Sequence, residues 1–161
     1  MQYYDDAIAG QPFREIGTRL ETEVRSAMPR LAGYTDAQAG VALSPGKWSR
    51  KQVLGHLIDS AANNHQRFVR LQAEGGLRLP AYAQAHWVAS QRYQDRPWAD
   101  LVELWSAYNR HLAFVIAAIP EASRDVPCTI GEGAPVTLSH VALDYVGHLQ
   151  HHLGQIFAPD R

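Results

Sequence analysis

The sequence predicts an all-α fold, a four-helix bundle. Four segments carry apolar residues at the i, i+3, i+4, i+7 spacing of an amphipathic helix, and no segment shows a convincing strand pattern. The chain has 161 residues, 46% of them hydrophobic, which suits one sizeable core. A single domain over residues 1–161 is therefore expected, with no internal repeat or low-complexity segment.

The first helix is read from Phe13, Ile16, Leu20, Val24, Ala27 and Leu31, with charged residues between them and Pro29 and Gly33 marking its end. Residues 34–46 hold two glycines and a proline and no sustained stripe, so they read as a connection. The second helix starts sharply at Ser49, where Ser49-Arg50-Lys51-Gln52 has the form of a capping box. Val53, Leu54, Leu57, Ala61, Phe68 and Leu71 give its apolar residues, and Gly75-Gly76 ends it. A long link, 77–95, follows. Asp95 and Pro97 then open a third helix with the stripe Leu101, Trp105, Tyr108, Leu112, Val115 and Ile119, closed by Pro120. Pro127 to Pro135 reads as a short hairpin or an irregular loop. The fourth helix is capped by Thr137 and runs to about Phe157. Long links after the second and third helices leave room for a crossover, so simple up-down order does not follow from the pattern.

Bulk properties exclude several classes. A net charge of −1 gives no electrostatic drive toward nucleic acid or an anionic membrane. No apolar run approaches the ~18 residues of a membrane span, and the first residues lack the basic start and apolar run of a signal peptide. The single cysteine, Cys128, fits a reducing compartment, so a cytoplasmic location is expected. Cys128 follows a proline and has no adjacent histidine, which argues against a thiol nucleophile. No phosphate-binding glycine loop, nucleophile elbow or Cys-x-x-Cys pair is present.

The departure from the ordinary is histidine. There are eight, and His148 and His152 lie four residues apart on the fourth helix, in one stripe with Val141, Tyr145 and Ile156. That spacing lets two imidazoles share one metal ion, and a buried imidazole needs a polar partner or a metal. A third ligand must come from another helix, and His56, close to the buried face of the second, is the candidate. Three neutral nitrogen donors leave coordination positions open, as in a catalytic rather than a structural site. Asp59 and Asn63 are candidate catalytic residues, orienting an imidazole or hydrogen-bonding a substrate, with Asp144 a further polar candidate. His65, His86, His111, His140 and His151 read as surface or packing residues.

The segment from Gly46 to Phe68, with Trp48, Ser49, Val53, His56, Asp59, Ser60, Asn63, Arg67 and Phe68 in register, resembles the second-helix signature of the DinB/YfiT-like superfamily. The H-x-x-x-H stretch between Tyr145 and Ile156 is similar to that family's fourth helix, and Tyr82 and Trp87 resemble its YfiT branch. The resemblance spans roughly residues 43–157. It implies a four-helix bundle of up-down-down-up order, frequent homodimers, and a metal triad mapping onto His56, His148 and His152 with zinc or nickel bound. Relatives include S-transferases that use low-molecular-weight thiols, isomerases, and proteins assigned as metal-dependent hydrolases. The chain is shorter than members that carry an added C-terminal domain.

The expected function is a metalloenzyme holding one divalent ion per chain and acting on a small-molecule substrate. In the transferase form a low-molecular-weight thiol is the co-substrate and attacks an electrophile; in the hydrolase form water takes its place. A third form holds metal or a small molecule without turnover, as a stress-related binding protein. The sequence leaves thiol and water open.

Overall fold

The computed structural model describes residues 2–158; residue 1 and residues 159–161 of the expected domain lie outside the described residues. Four long helices form the body: α1 (Phe13–Ala32), α3 (Arg50–Ala73), α5 (Trp98–Ala117) and α6 (Leu138–Ile156). Two short helices lie in the links, α2 (Asp36–Gly40) and α4 (Gln84–Ser90).

All six residues of the α1 stripe are buried, and Pro29 sits within the last turn before Gly33 closes the helix. Ser49 caps α3 as its sequence implies, with its hydroxyl accepting from the Gln52 N–H at 3.3 Å and its own N–H donating to Gln52 Oε1 at 3.0 Å. Thr137 caps α6 by accepting from the His140 N–H at 3.2 Å. Each cap satisfies backbone donors that a helix start otherwise leaves unpaired.

Each long helix packs on two others in a ring. Helix α1 lies against α5 and α6, and α3 lies against the same two. The first and second long helices thus face each other across the bundle, where a simple up-down order would make them neighbours. Of the two long links, the one after the third helix crosses the bundle to α6, whereas the one after the second joins the neighbours α3 and α5; the other crossover follows the first helix. Gly17 makes one of these packings close: a Cβ there would lie 2.5 Å from the Ala113 carbonyl of α5.

The fold corrects the all-α expectation in one respect. A small sheet joins β1 (Leu77–Leu79), β2 (Pro127–Ile130) and β3 (Val136–Thr137). Strands β2 and β3 form the hairpin considered for Pro127–Pro135, and β1 adds in parallel to β2 with Leu77 opposite Cys128. These strands are too short to show alternation, and their pairing across the chain leaves no local signal. The connection at 34–46 is likewise not structureless. Thr35 and Gln38 form a second capping box that starts α2. Asp36 of that helix accepts from buried Lys51 at 2.9 Å and from the Trp98 N–H at 2.7 Å. This one carboxylate pins the starts of α3 and α5 together.

On α5 the buried face is Leu101, Val102, Trp105, Asn109, Leu112, Ala113 and Ile116, while Tyr108 and Val115 are only partly covered. The expected stripe was rotated slightly from the true one. Buried Asn109 is what obscured it: its carboxamide donates to the Trp105 carbonyl and accepts from the Tyr145 hydroxyl. No helix of the described residues is long and apolar enough to cross a membrane.

Candidate metal centre

His56 sits in the second turn of α3, and His148 and His152 lie on successive turns of α6. Both helix ends are held in register by Arg50, whose Nε donates to the Ile156 carbonyl at 3.0 Å. The Tyr34 hydroxyl donates to the same carbonyl at 3.2 Å. A guanidinium on the last carbonyls of α6 also complements the negative end of that helix. The first turns of α3 are thereby set against the last turns of α6.

The three histidines converge. Nε2 of His56 lies 3.1 Å from Nε2 of His148, and one ligand atom from each of the three fits within 4.8 Å of the others. That spread is near what one ion with ~2.0–2.1 Å metal–nitrogen bonds requires. His56 is wholly buried, whereas His148 and His152 are half-buried. The stripe on α6 therefore does not bury its histidines wholly in apolar core, and His148 reaches the wall of a cavity.

Protonation suits ligation. Burial, with His152 close by, pushes His56 down to about 4. Burial and the neighbouring imidazoles push His148 down to about 3. Burial lowers His152 as well, against an opposing hydrogen bond from Gln155. All three are neutral at pH 7, the form that coordinates a metal. His152 Nδ1 is 2.9 Å from Gln155 Oε1, an acceptor, so Nδ1 carries the proton and Nε2 keeps its lone pair. Gln155 passes the chain on to His151 Nε2 at 3.0 Å. His56 Nδ1, on the far side of the ring from the converging Nε2, is buried with no hydrogen-bond partner. These observations fit a divalent ion held by His56, His148 and His152.

The surroundings separate the other candidates. Asp59 is buried one turn beyond His56, and its Oδ1 accepts from the Tyr93 hydroxyl at 2.7 Å and from the Gln91 side chain. Burial pushes its carboxyl up, partly opposed by these two bonds, and its Oδ2 has no partner. Asn63 is turned onto its own helix, donating to the Asp59 carbonyl at 2.9 Å. The neighbouring Asn64, which the sequence reading passed over, is buried and lines the cavity instead. His140 also lines the cavity, with Nδ1 3.0 Å from the Tyr4 hydroxyl, while His65 is occupied by Tyr108 and meets His111 edge to face.

Two cavities lie beside the triad: His148 lines one, and Trp48 and Gln155, which touch His56 and His152, line the other. One, of about 470 Å³, runs between α3 and α6 past His148, with Ser60, Asn64, Arg67, Tyr82, Asp144 and Tyr145 in its walls. Tyr3 closes its edge, its ring 5.1 Å from that of His148. The backbone of Tyr3 passes so near α6 that a Cβ on Gly147 would meet its carbonyl at 2.0 Å. The other cavity, of about 500 Å³, is lined by Leu43, Trp48, Val53 and Gln155 among others. Trp48 bears on the triad directly, its ring 5.5 Å from that of His56.

Burial also dictates an acid response. Below pH ~6.5 the unfolded chain takes up protons on these histidines that the folded chain refuses. Metal-free stability from this source is complete above ~6.5 and is lost as pH falls toward the folded values. For wholly buried His56, displaced to about 4, the loss is on the order of 3 kcal/mol at ~1.4 kcal/mol per unit. Asp59 and Asp144, both pushed up by burial, act in the opposite sense. The expectation is therefore placed on a difference. In chelator, urea midpoints should fall more steeply between pH 7 and 4.5 for the wild type than for His56→Gln, and equal slopes would refute it.

A helical bundle in which three histidines from two helices converge defines the class: a helical protein with a candidate mononuclear metal centre. Residues 19–156 match the DinB superfamily, and the chain belongs to that family. Among solved structures, YfiT from Bacillus subtilis is similar over 95% of this chain and 86% of its own, at 18% identity and a TM-score of 0.77. That protein is described as a probable metal-dependent hydrolase with an unusual four-helix bundle topology. No curated protein matches the chain in sequence.

Proposed function

We propose that this chain is a metal-dependent S-transferase, joining a low-molecular-weight thiol to an electrophilic small molecule. The observation that carries the proposal is the pair of cavities beside the triad, one with Ser60, Asn64, Arg67 and Asp144 among its walls and one more apolar, with Leu43, Trp48 and Val53 beside Lys47 and Gln155. A transfer between two organic substrates needs two such spaces; hydrolysis needs one and water. A divalent ion at His56, His148 and His152, zinc or nickel by family resemblance, would supply a Lewis-acid position that lowers the pKa of a coordinated thiol or water.

The chain's own residues do the rest. Gln155 holds the His152 tautomer, and Arg50 keeps α6 against α3. Tyr3 covers His148 from one side and Trp48 covers His56 from the other, which limits water around the centre. Ser60, whose hydroxyl is 3.5 Å from His148 Nδ1, and Asn64 present polar atoms along the path to the triad. Asp59, held by Tyr93 and Gln91, steadies α3 at the turn after His56 and serves as a positioning residue. The protein is proposed to work in the cytoplasm as a homodimer.

A second reading, hydrolysis, is favoured by the description of the similar YfiT structure. The test uses metal-loaded protein with a panel of low-molecular-weight thiols and either a chloro-dinitrobenzene or a bromobimane. Thiol-dependent conjugation above the uncatalysed rate is expected, with no turnover in its absence. Ester or amide cleavage that proceeds without thiol would replace the transferase reading with the hydrolase one. No turnover of either kind would leave a binding protein.

A further inference from the structure

The α3 wall of the cavity that His148 lines carries Ser60, Asn64 and Arg67, each one turn beyond the last, with His56 one turn before Ser60. Its far end carries a charge with no counter-charge. Arg67 is only 9% exposed, and the hydrogen bond it makes is from Nη1 to Asn64 Oδ1 at 3.1 Å, to a neutral group. No described carboxylate forms an ion pair with it. The titratable groups that feel its charge are the Tyr82 hydroxyl and the Cys128 thiol; burial raises both, so both are neutral at pH 7. Asp144, the acid in the opposite wall, is engaged by the Tyr3 N–H at 2.7 Å.

A guanidinium has five N–H donors and a planar fork that matches a carboxylate, and a buried charge left unpaired is costly. The remaining donors of Arg67 are not sealed in the protein, since the fully buried unpartnered atoms among the described residues belong to Gln11, His56, Asp59 and Trp105. They open into the cavity that His148 enters from its other end. We propose that Arg67 is a carboxylate-binding subsite, taking the acid end of a ligand whose reacting end lies at the triad. The inference rests on reading that cavity as the ligand site of the proposed enzyme. Carboxylate is favoured over phosphate because one guanidinium meets one negative charge, and Asp144 across the cavity repels a second. The span sets a length: His56 and Arg67 are eleven positions apart on α3, about 16 Å of helical rise, less the reach of the two side chains. The ligand is accordingly an extended molecule, with its carboxylate several bonds from its reacting atom.

The experiment titrates zinc-loaded protein by calorimetry with mercaptoacetate, mercaptohexanoate and the methyl ester of each. Hexanoate and its methyl ester serve as thiol-free controls. Mercaptohexanoate is expected to bind at least about tenfold tighter than its ester, as a charge-assisted bidentate pair implies. Mercaptoacetate, too short to reach both ends, should show no such preference. Arg67→Gln should reduce the acid-over-ester ratio to near one, and Arg67→Lys should keep part of it. Hexanoate should bind more weakly yet retain the preference. An acid-over-ester ratio near one in the wild-type protein overturns the subsite whatever the variants do, as does an undiminished ratio in Arg67→Gln. If thiols bind without regard to the carboxylate, the subsite falls and the thiol reading stands. If hexanoate binds as tightly as mercaptohexanoate and both need Arg67, the subsite stands and the thiol reading falls.

Discussion

His56→Leu is expected to strip the chain of its divalent ion while leaving the metal-free protein nearly as stable as the wild type. His56 is wholly buried, its Nδ1 has no partner, and burial pushes its pKa down to about 4. In the metal-free fold this imidazole is a poor core residue, because an unsatisfied buried polar atom costs ~1–3 kcal/mol. Leucine fills similar volume without that cost, so chelated wild type and variant should agree within about 1 kcal/mol in urea. With metal the two part company. An ion bound only by the native state stabilises it by mass action, ~2.7 kcal/mol at a hundred times Kd, and the variant should gain none of this. The His56–His148 contact joins positions 92 residues apart, so the ion cross-links α3 to α6 across most of the chain. Elemental analysis should give close to one ion per wild-type chain and less than about a tenth in the variant. A variant that kept its metal would move the third ligand elsewhere. One that collapsed in chelator would make His56 a structural residue.

The sequence carried this site further than it carried the links. His148 and His152 were legible because a helix puts i and i+4 on one face, and His56 because it lies near the buried face of the second helix, in a pattern that resembles a family signature. The caps at Ser49 and Thr137 were legible for a similar reason, since capping is chemistry between near neighbours. Thr35-Asp-Ala-Gln38 carries the same signal, yet α2 is too short to show an apolar stripe, and the cap alone did not identify a helix. The sheet depends on Leu77 meeting Cys128, a pairing set by the packed bundle rather than by either segment. Asn64 and Arg67 escaped for a different reason. On a helical wheel they are polar residues that could as well face water, and only the placement of α6 turns them into a cavity wall. Asp59 was identified as a polar group near the triad, but its partners Gln91 and Tyr93 come from the 77–95 link, whose fold the sequence did not display.

That link also generates the second large expectation. Tyr93 reaches Asp59 only because position 55 has no side chain: a Cβ on Gly55 would lie 2.1 Å from Tyr93 Cδ2 and 2.3 Å from Cγ. The ring cannot withdraw cheaply. It is 5% exposed, and its hydroxyl is anchored on a buried carboxylate at 2.7 Å. Gly55→Ala must therefore displace Tyr93, adding ~1–3 kcal/mol of overpacking to ~1.5–3 kcal/mol for a lost hydrogen bond to a charged group. The helix propensity of alanine returns about 1 kcal/mol, too little to compensate. A net loss of about 2–5 kcal/mol is expected, which for a chain of this size lowers Tm by about 4–20 °C. Because Gly55 adjoins His56, metal affinity should fall with stability rather than independently of it. A double-mutant cycle tests the cause. Tyr93→Leu alone should cost stability, since Asp59 loses a donor, but in the Gly55→Ala background its added cost should shrink or reverse as the clash is relieved. A coupling of at least about 1 kcal/mol is expected in urea denaturation. Strict additivity would mean that the helix itself shifts to make room, and that Gly55 is not what lets the link close over the site.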